Sequence, residues 1–330
     1  MQTLQDISLS SPYHAIHQLQ AHLNQRIIGQ EHLIQSLMIA LLCDGHLLVE
    51  GAPGLAKTTA IKELSHCIAT HFHRVQFTPD LLPADLTGTD IFNVQQGTFQ
   101  FQKGPLFHNM ILADEINRAP AKVQSALLEA MAERQITVGS HTYPLPELFL
   151  VMATQNPIEQ EGTYPLPEAQ LDRFLLYVTI DYPNAASELE ILRLNRKESL
   201  HRVKHEKPPV LLSENLILKA REDILNIHLS EELEEYLVQL VMATRYPAHY
   251  DARLARWIRF GASPRATLGL DRAARAHAFL QQKDYVSPEN IHAVFFDILR
   301  HRILLTFEAE AEGMTAYEVL REILKGVAIP

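Results

Sequence analysis

A short run of residues that includes two glycines, a lysine and two threonines has the composition of a phosphate-binding loop. Its members are Gly51, Ala52, Pro53, Gly54, Leu55, Ala56, Lys57, Thr58 and Thr59. Glycines let the backbone approach a phosphate closely, and the N-terminus of a following helix supplies N–H donors. A lysine reaches the β- and γ-phosphates, and a threonine hydroxyl binds Mg²⁺. Because this run follows the apolar segment Leu47–Glu50 and precedes a predicted helix over Thr59–Ala69, it favours a nucleoside triphosphate site over a chance glycine-rich turn.

The loop departs from the strict pattern at one position, where Ala56 replaces a glycine. If the backbone there requires a positive φ, alanine costs on the order of 1 kcal/mol.

Two adjacent carboxylates, Asp114 and Glu115, end the apolar segment Met110–Asp114. In nucleotide hydrolases the first acid holds the Mg²⁺ shell, and the second polarises the attacking water. An aspartate at this point could also simply cap a following helix. Its position downstream of a phosphate loop favours the catalytic interpretation.

Asn156 follows a further apolar segment, Leu148–Ala153, and precedes Pro157. A neutral amide there could orient water between Glu115 and a γ-phosphate. An Asn-Pro pair alone would indicate only a turn. The order of the strand-borne signals along the chain favours a functional role.

Two arginines are further candidates. Arg173 stands just before the last predicted strand, where it could reach the γ-phosphate of a neighbouring subunit. Arg265 lies in the first turn of the helix that Ser263 and Pro264 begin. A cation there has the wrong sign for the helix dipole, so a bound phosphate would complement it. The alternative for both is a surface salt bridge.

The region around Arg265 is locally basic in an otherwise acidic chain. It contains Arg245, Arg253, Arg256, Arg259, Arg265, Arg272 and Arg275. Beyond Trp257 and Phe260 there is no extended interleaving of aromatic residues with the arginines near Arg265, which disfavours nucleic-acid binding by base stacking. A subunit interface or a phosphate-facing surface is the preferred interpretation.

The elements that must position these residues are predicted from apolar runs and helical patterns that alternate along the first half of the chain. This alternation is typical of a parallel sheet with crossover helices, an α/β fold. The expected strands are His46–Glu50, His73–Phe77, Met110–Asp114, Leu148–Ala153 and Leu175–Thr179, preceded by helices over Ser11–Asn24 and Glu31–Leu42.

Two β-hairpins interrupt this alternation. The first pairs residues 91–94 with residues 98–102 around Gln95-Gln96-Gly97, and the second pairs residues 134–138 with His141–Tyr143. Both are predicted as inserts in the α/β core.

Beyond Pro183 the pattern is helical. Four serines stand at expected N-caps, namely Ser213, Ser230, Ser263 and Ser287, and Thr315 with Glu318 forms a capping box. We therefore expect an α/β domain over residues 1–182 and a smaller all-helical lid over residues 183–330.

Composition limits the classes of protein to consider. The 330 residues carry a net charge of −10, which disfavours an extended nucleic-acid surface. The longest apolar runs have six residues, too short to span a membrane. Only Cys43 and Cys67 are cysteines, no secretory signal pattern is visible, and the histidines are scattered; these features favour a cytoplasmic protein without a histidine metal site.

Taken together, the motifs resemble the MoxR-type AAA+ ATPases over nearly the whole chain. The matching stretches are Gly51–Thr58, Leu112–Pro120, Ala153–Phe174 and Gly261–Ala266, and Ala56 matches this family's variant of the phosphate loop. The long third stretch is the most specific.

The resemblance implies Walker A at Gly51–Thr58 and Walker B at Asp114 and Glu115. It also implies sensor 1 at Asn156, sensor 2 at Arg265, and an arginine finger at Arg173. Should Arg173 not act on the neighbouring subunit, Arg118 is the other candidate. The residues around Ile28 would lie near adenine. ATP or ADP with Mg²⁺, a hexameric ring, pore-facing hairpin inserts, a client protein and a partner with a von Willebrand factor A domain are the further expectations.

Two alternatives to an ATP-driven remodeller remain open from the sequence. A nucleotide-gated assembly scaffold would dispense with Glu115 and Arg173. A DNA-acting motor would require basic hairpin tips, whereas both tips, Gln95-Gln96-Gly97 and Gly139-Ser140, are uncharged.

Overall fold

The computed structural model describes residues 11–95, 97–157, 162–201 and 209–330. Residues 1–10, where the sequence lacks a secretory pattern, are outside the described part. So are Gln96 at the first hairpin turn and residues 158–161 within the long family-like stretch.

Short strands alternate with helices through the first half of the chain. The strands are β1 (Leu47–Glu50), β2 (Phe72–Gln76), β3 (Gly88–Asn93), β4 (Thr98–Lys103), β5 (Met110–Asp114), β6 (Gln135–Val138), β7 (His141–Pro144), β8 (Leu150–Gln155), β9 (Leu176–Thr179), β10 (Ile258–Phe260) and β11 (Leu304–Leu305).

The helices are concentrated in the second half. They are α1 (Pro12–Arg26), α2 (Glu31–Leu42), α3 (Lys57–Ile68), α4 (Pro83–Thr87), α5 (Ala121–Glu133), α6 (Glu168–Leu171), α7 (Ala185–His201), α8 (Glu214–Leu225), α9 (Glu231–Arg245), α10 (Ala252–Trp257), α11 (Pro264–Leu280), α12 (Pro288–Leu299), α13 (Phe307–Ala311) and α14 (Ala316–Gly326).

A five-stranded sheet in the order β2-β5-β8-β1-β9 forms the centre of the α/β part. The pairs β2–β5, β5–β8 and β8–β1 are parallel, and the residues of β1, β5 and β8 are largely buried. Their runs of leucine, valine, isoleucine and alanine match strands covered on both faces. The α/β prediction is confirmed, with strand ends shifted by up to two residues.

Both predicted hairpins are present as antiparallel pairs, β3–β4 and β6–β7. The first exposes large apolar side chains, including Phe92 and Phe99, whose ring centroids lie 5.1 Å apart. Phe101 of the first hairpin stacks on Tyr143 of the second at 4.3 Å, so the two inserts contact each other.

The chain divides into two compact units. The first comprises residues 1–166 and 178–218, and the second comprises residues 167–177 and 219–330. The second unit therefore includes the short segment around Arg173 as well as the carboxyl-terminal helices.

Residues 219–330 of the second unit are helical apart from β10 and β11, a two-stranded antiparallel sheet, and an isolated bridge between His228 and Tyr285. The helical lid is confirmed, with the addition of these two strands, whose three and two residues leave too little pattern to recognise. The hydroxyls of Ser230 and Ser263 accept N–H groups at the predicted helix starts, and Ser287 and Thr315 form capping boxes.

Candidate functional site

The glycine-rich loop connects β1 to α3, as the sequence predicted, and its two glycines have different roles. A Cβ atom at Gly51 would lie 2.5 Å from the Ile180 side chain and 2.8 Å from its carbonyl oxygen. Gly54 has a φ of +85°, and a Cβ atom there would meet nothing within 4 Å. Gly51 is therefore required for packing beside β9, whereas Gly54 gives the loop its left-handed turn and leaves the space beside it open.

Ala56 has a φ of +58° and directly precedes α3, which begins at Lys57 rather than at the predicted Thr59. Left-handed backbone is unfavourable for alanine. The positive φ on which the expected cost of alanine at this position depends is therefore present. The earlier helix start places the N–H groups of Lys57 and Thr58 in the first turn, where a helix binds anions.

The Lys57 ammonium contacts the first residue of the loop, because its Nζ donates to the Gly51 carbonyl at 2.7 Å. Burial lowers the pKa of Lys57, while the Asp114, Glu115 and Glu50 carboxylates act in the opposite direction. A partly desolvated ammonium in this position has a stronger interaction with an anion than one in water.

The carboxylates at the end of β5 are organised by Thr154, a buried residue of β8 that the sequence analysis missed. Its Oγ1 donates to Asp114 Oδ1 at 2.5 Å and accepts from the Glu115 backbone N–H at 2.9 Å. Glu115 has a φ of +56°. Such backbone strain concentrates at functional sites. The threonine holds the two acids in a defined relation at the edge of the sheet.

Side chains on β2 cover the same carboxylates. Arg74 donates from Nη2 to Asp114 Oδ2 at 2.6 Å and to Gln76 Oε1 at 2.9 Å. Gln76 Nε2 donates to Glu115 Oε2 at 2.7 Å, and Arg118 Nη1 donates to the same oxygen at 3.0 Å. Both acids are therefore engaged within the chain.

Arg74 and Gln76 were also missed by the sequence analysis. The alternation of the β2 residues could have placed both on one face of the strand, but it does not show which face meets Asp114 and Glu115.

A cavity of about 340 Å³ brings together most of the predicted phosphate loop, both carboxylates and Asn156, whereas Ile28, Gly51, Arg173 and Arg265 do not line it. It is lined by Pro53, Gly54, Leu55, Ala56, Lys57, Thr58, Thr59, Arg74, Asp114, Glu115, Thr154, Gln155 and Asn156. The parallel register accounts for this convergence, since the carboxyl ends of β1, β5 and β8 meet at one edge of the sheet.

A second cavity of about 310 Å³ contains Ile28, as expected for a site beside the loop. Its lining is more apolar than polar, and it shares Pro53, Gly54, Leu55, Ala56 and Thr59 with the first. Gln30 Nε2 donates to the Asp181 carbonyl at 3.0 Å beside it. The loop thus separates a polar cavity from an apolar one, an arrangement that suits a phosphorylated heterocycle.

The two arginine candidates lie in the second unit. The Arg173 N–H donates to the Gln170 carbonyl at 3.1 Å, one turn back along the chain. Arg265 is in the first turn of α11, as predicted, and its N–H donates to Ser263 Oγ at 3.2 Å. Asp172 contacts Ser263 as well, with 2.9 Å between Oδ2 and the serine oxygen.

Several arginines of the 245–275 segment are bound within the second unit. Arg253 pairs with Asp251 at 2.8 Å, and Arg275 pairs with Asp271 at 2.7 Å. Arg256 contacts two glutamates of the α13 region. Pairing of this kind reduces the charge that these arginines could offer to a phosphate backbone.

No group of three or more metal-ligating His, Cys, Asp or Glu side chains occurs among the residues the structure describes. Within the same residues, no helix has the length and apolar character needed to cross a membrane.

Comparison with known families defines the class of protein. Residues 46–176 match the model of the ATPase family associated with various cellular activities (AAA), and residues 251–323 match the AAA lid domain. The phosphate loop and Asp114 and Glu115 fall in the first match, and Arg265 falls in the second. Fold and site together define an AAA ATPase with its lid.

Similarity to individual proteins narrows the class. Chaperone MoxR1 of Mycobacterium tuberculosis is 42% identical over 98% of this chain and 84% of its own, and Protein MoxR of Paracoccus denitrificans is 33% identical over 97% and 95%. The crystal structure of a Cytophaga hutchinsonii protein to which ATPase activity is ascribed is 47% identical, with a TM-score of 0.88 over 97% and 96%. The chain belongs to the MoxR family of AAA ATPases.

Proposed function

We propose that this protein hydrolyses ATP with Mg²⁺ in an oligomeric ring and uses the cycle to remodel a client protein during maturation or assembly of a complex. One observation carries the catalytic part of this proposal. A single cavity is lined by the phosphate loop, both carboxylates and Asn156.

Nucleotide binding follows from the loop and its two cavities. Gly54, Ala56 and the first turn of α3 form a cradle of backbone N–H groups for the phosphates, and Lys57 supplies the cation. Pro53, Leu55 and Thr59 line both cavities, so they lie where phosphates and base would meet. The apolar cavity at Ile28 suits adenine.

The residues present also fit a magnesium ion. The Thr58 hydroxyl and the Asp114 carboxylate line the same cavity and offer the hard oxygen ligands that Mg²⁺ prefers. When bound, the ion neutralises charge on the phosphates. Arg74 must leave Asp114 Oδ2 if that oxygen is to face the metal or its waters.

Glu115 is the proposed base that removes a proton from the attacking water, and Asn156 is proposed to orient that water. Gln76 and Arg118 hold Glu115 Oε2. Release of at least one of them would leave the carboxylate free to accept the proton. If Oε2 is the atom that accepts the proton, hydrolysis requires rearrangement of contacts that the chain makes with itself.

The proposed ring has six subunits. In it Arg173 acts on the neighbouring subunit's γ-phosphate, and Arg265 contacts nucleotide in its own subunit. A client, reached through a separate partner with a von Willebrand factor A domain, and a cytoplasmic location complete the proposal. Its support is the MoxR family and the chaperone name of one relative.

The decisive variant is Glu115→Gln. It removes the base while keeping the size and hydrogen-bonding capacity of the side chain, so ATP should still bind, whereas hydrolysis should fall at least ~10²-fold. Calorimetry with ATP and a phosphate-release assay on the same preparation measure the two effects. Near wild-type turnover would show that the base is another residue.

A nucleotide-gated scaffold is the second candidate, favoured by the engagement of both acids with arginines. In that case the wild-type protein would bind ATP and change its assembly state, and Glu115→Gln would leave its already negligible turnover unchanged. The same pair of measurements therefore separates the two functions.

A further inference from the structure

Asp172 connects the chain segment that carries Arg173 to the helix that carries Arg265, the two arginines with proposed roles toward nucleotide. Within the second unit, its Oδ1 accepts from Arg302 Nε at 2.8 Å, and its Oδ2 accepts from Ser263 Oγ at 2.9 Å. It directly precedes Arg173 in the chain, and Ser263 is the N-cap of the helix that carries Arg265. One carboxylate therefore touches both elements.

The backbone on either side of Arg173 is held by a buried guanidinium. Arg302, whose side chain is only 3% exposed, donates from Nη2 to the Phe174 carbonyl at 2.7 Å and to the Asp172 carbonyl at 3.3 Å. His301 Nε2 also contacts the Phe174 carbonyl, at 3.1 Å. Because the residues before and after it are fixed, the backbone of Arg173 has little freedom to move independently.

The other oxygen of Asp172 connects this rigid segment to α11. Ser263 Oγ donates to Asp172 and accepts the Arg265 N–H at 3.2 Å, so a single hydroxyl both caps the helix and joins it to the segment. Burial lowers the pKa of Arg302, Asp172 opposes this shift, and the positive charge of Arg265 contributes to it. The charge of Arg265 is thus close enough to act on the same guanidinium.

From these contacts we infer that Asp172 is a positioning residue that sets Arg173 and the first turn of the Arg265 helix as one unit. The inference rests on the proposed roles of these two arginines. If nucleotide bound to one subunit shifts α11, Arg173 of that same subunit moves with it. Nucleotide in one subunit thereby changes the position of the arginine that acts on the neighbouring subunit.

The link can be broken at Ser263 without removing either arginine. Ser263→Asp keeps a good N-cap acceptor but replaces the donor to Asp172 by a second carboxylate. Ser263→Asn is the matched control, because its amide can cap the helix with oxygen and donate to Asp172 with nitrogen. Ser263→Gly, a tolerated N-cap without a side chain, breaks the link with no added charge.

The assay mixes two inactive proteins. Glu115→Gln subunits donate an intact Arg173, Arg173→Ala subunits supply an intact Glu115, and activity returns where the two meet. Ser263→Asp or Ser263→Gly in the donor is expected to lower the restored rate by about tenfold, within the usual range of coupling between linked sites. Ser263→Asn in the donor should keep it within about twofold, since both bonds are retained.

Nucleotide affinity of the donor alone gives the second readout. Calorimetry should show that Ser263→Asp weakens ATP binding as Arg265→Ala does, and that adding Ser263→Asp to Arg265→Ala weakens it no further. A purely structural defect would instead make the two losses additive.

The results distinguish failure of the inference about Asp172 from failure of the proposed roles of Arg173 and Arg265. A fully active mixture with either link-breaking donor, or additive losses of ATP affinity, overturns the inference while leaving the roles of the arginines intact. If fluorescence shows subunit exchange but the two parent proteins restore no activity, the proposed role of Arg173 fails and the inference falls with it. Thermal unfolding of each donor identifies loss of folding, in which case the Ser263→Gly result decides.

Discussion

Arg74 Nη2 lies 2.6 Å from Asp114 Oδ2, and Arg74 Nε lies 3.0 Å from the same oxygen. The arginine is half-exposed, whereas the aspartate is 15% exposed. A guanidinium thus binds one carboxylate oxygen of Asp114, while Thr154 binds the other. Any cation that binds to Asp114 together with the nucleotide must therefore compete with the Arg74 guanidinium.

Arg74→Gln is expected to reduce the Mg²⁺ concentration needed for tight ATP binding. An ion pair of this exposure contributes about 0.5–1 kcal/mol, so the half-saturating Mg²⁺ concentration should fall about two- to fivefold. A Mg²⁺ titration at fixed ATP in the Glu115→Gln background measures it. Arg74→Lys, which keeps a cation, should shift it less. A higher Mg²⁺ requirement in Arg74→Gln would instead mean that the arginine assists nucleotide binding.

Lys57→Ala is expected to abolish measurable ATP binding. Charge-assisted hydrogen bonds to phosphate contribute about 1.5–3 kcal/mol each, and Lys57 supplies the loop's ammonium group for these bonds. Lys62→Ala, an exposed lysine on the same helix, is the matched control and should bind ATP normally. Equal affinities of the two variants in calorimetry would refute the assignment of the phosphate loop.

Ala56→Gly should stabilise the nucleotide-free protein. A left-handed alanine is strained, and relief of that strain, less the greater freedom of glycine in the unfolded chain, leaves about 0.5–1 kcal/mol. Ala69→Gly is a matched control, since Ala69 has the same φ of +58° at the other end of α3. Chemical denaturation should show a similar gain for both variants. A gain at Ala69 alone would indicate that alanine at 56 is held by contacts that glycine loses.

His301 makes the second unit sensitive to acid. Burial lowers its pKa well below the usual value, and the nearby charges of Arg302 and Arg300 act in the same direction. Above pH ~6.5 both folded and unfolded states carry a neutral imidazole. Below it the unfolded chain takes up the proton more readily, so stability falls as the pH falls.

The loss due to His301 between pH 7.5 and 5.5 should be about 1 kcal/mol. His301→Gln, whose amide can still donate to the Phe174 carbonyl, should reduce this loss when urea unfolding is compared at the two pH values. Burial also lowers the pKa of His17, His73, His277 and His292, so some dependence should remain. An identical loss in wild type and variant would show that His301 does not contribute to the acid sensitivity.

The site residues that the sequence predicted are those that can be recognised from their immediate neighbours in the chain. Spacing within one loop identified Lys57 and Thr58, and apolar runs ending in polar residues identified Asp114, Glu115 and Asn156. The parallel sheet then brings these ends together, because its register aligns them.

The parts that were missed depend on contacts between distant residues. Thr154 reaches Asp114 across 40 positions, as does Arg74. Neither residue type is unusual for a strand, so only the order of strands in the sheet reveals which partner each one meets. The same applies to Ser263 and Asp172, which are 91 positions apart.

The stack of Phe101 on Tyr143 joins two hairpins that the chain inserts separately. Phe107 lies edge-on to both rings, with centroids 5.7 Å and 6.3 Å away. If only one hairpin were exchanged between homologues, Phe101 or Tyr143 would lose the ring on which it stacks. The two inserts are therefore expected to be inherited as a pair, and a chimaera that preserves folding must transplant both together with Phe107.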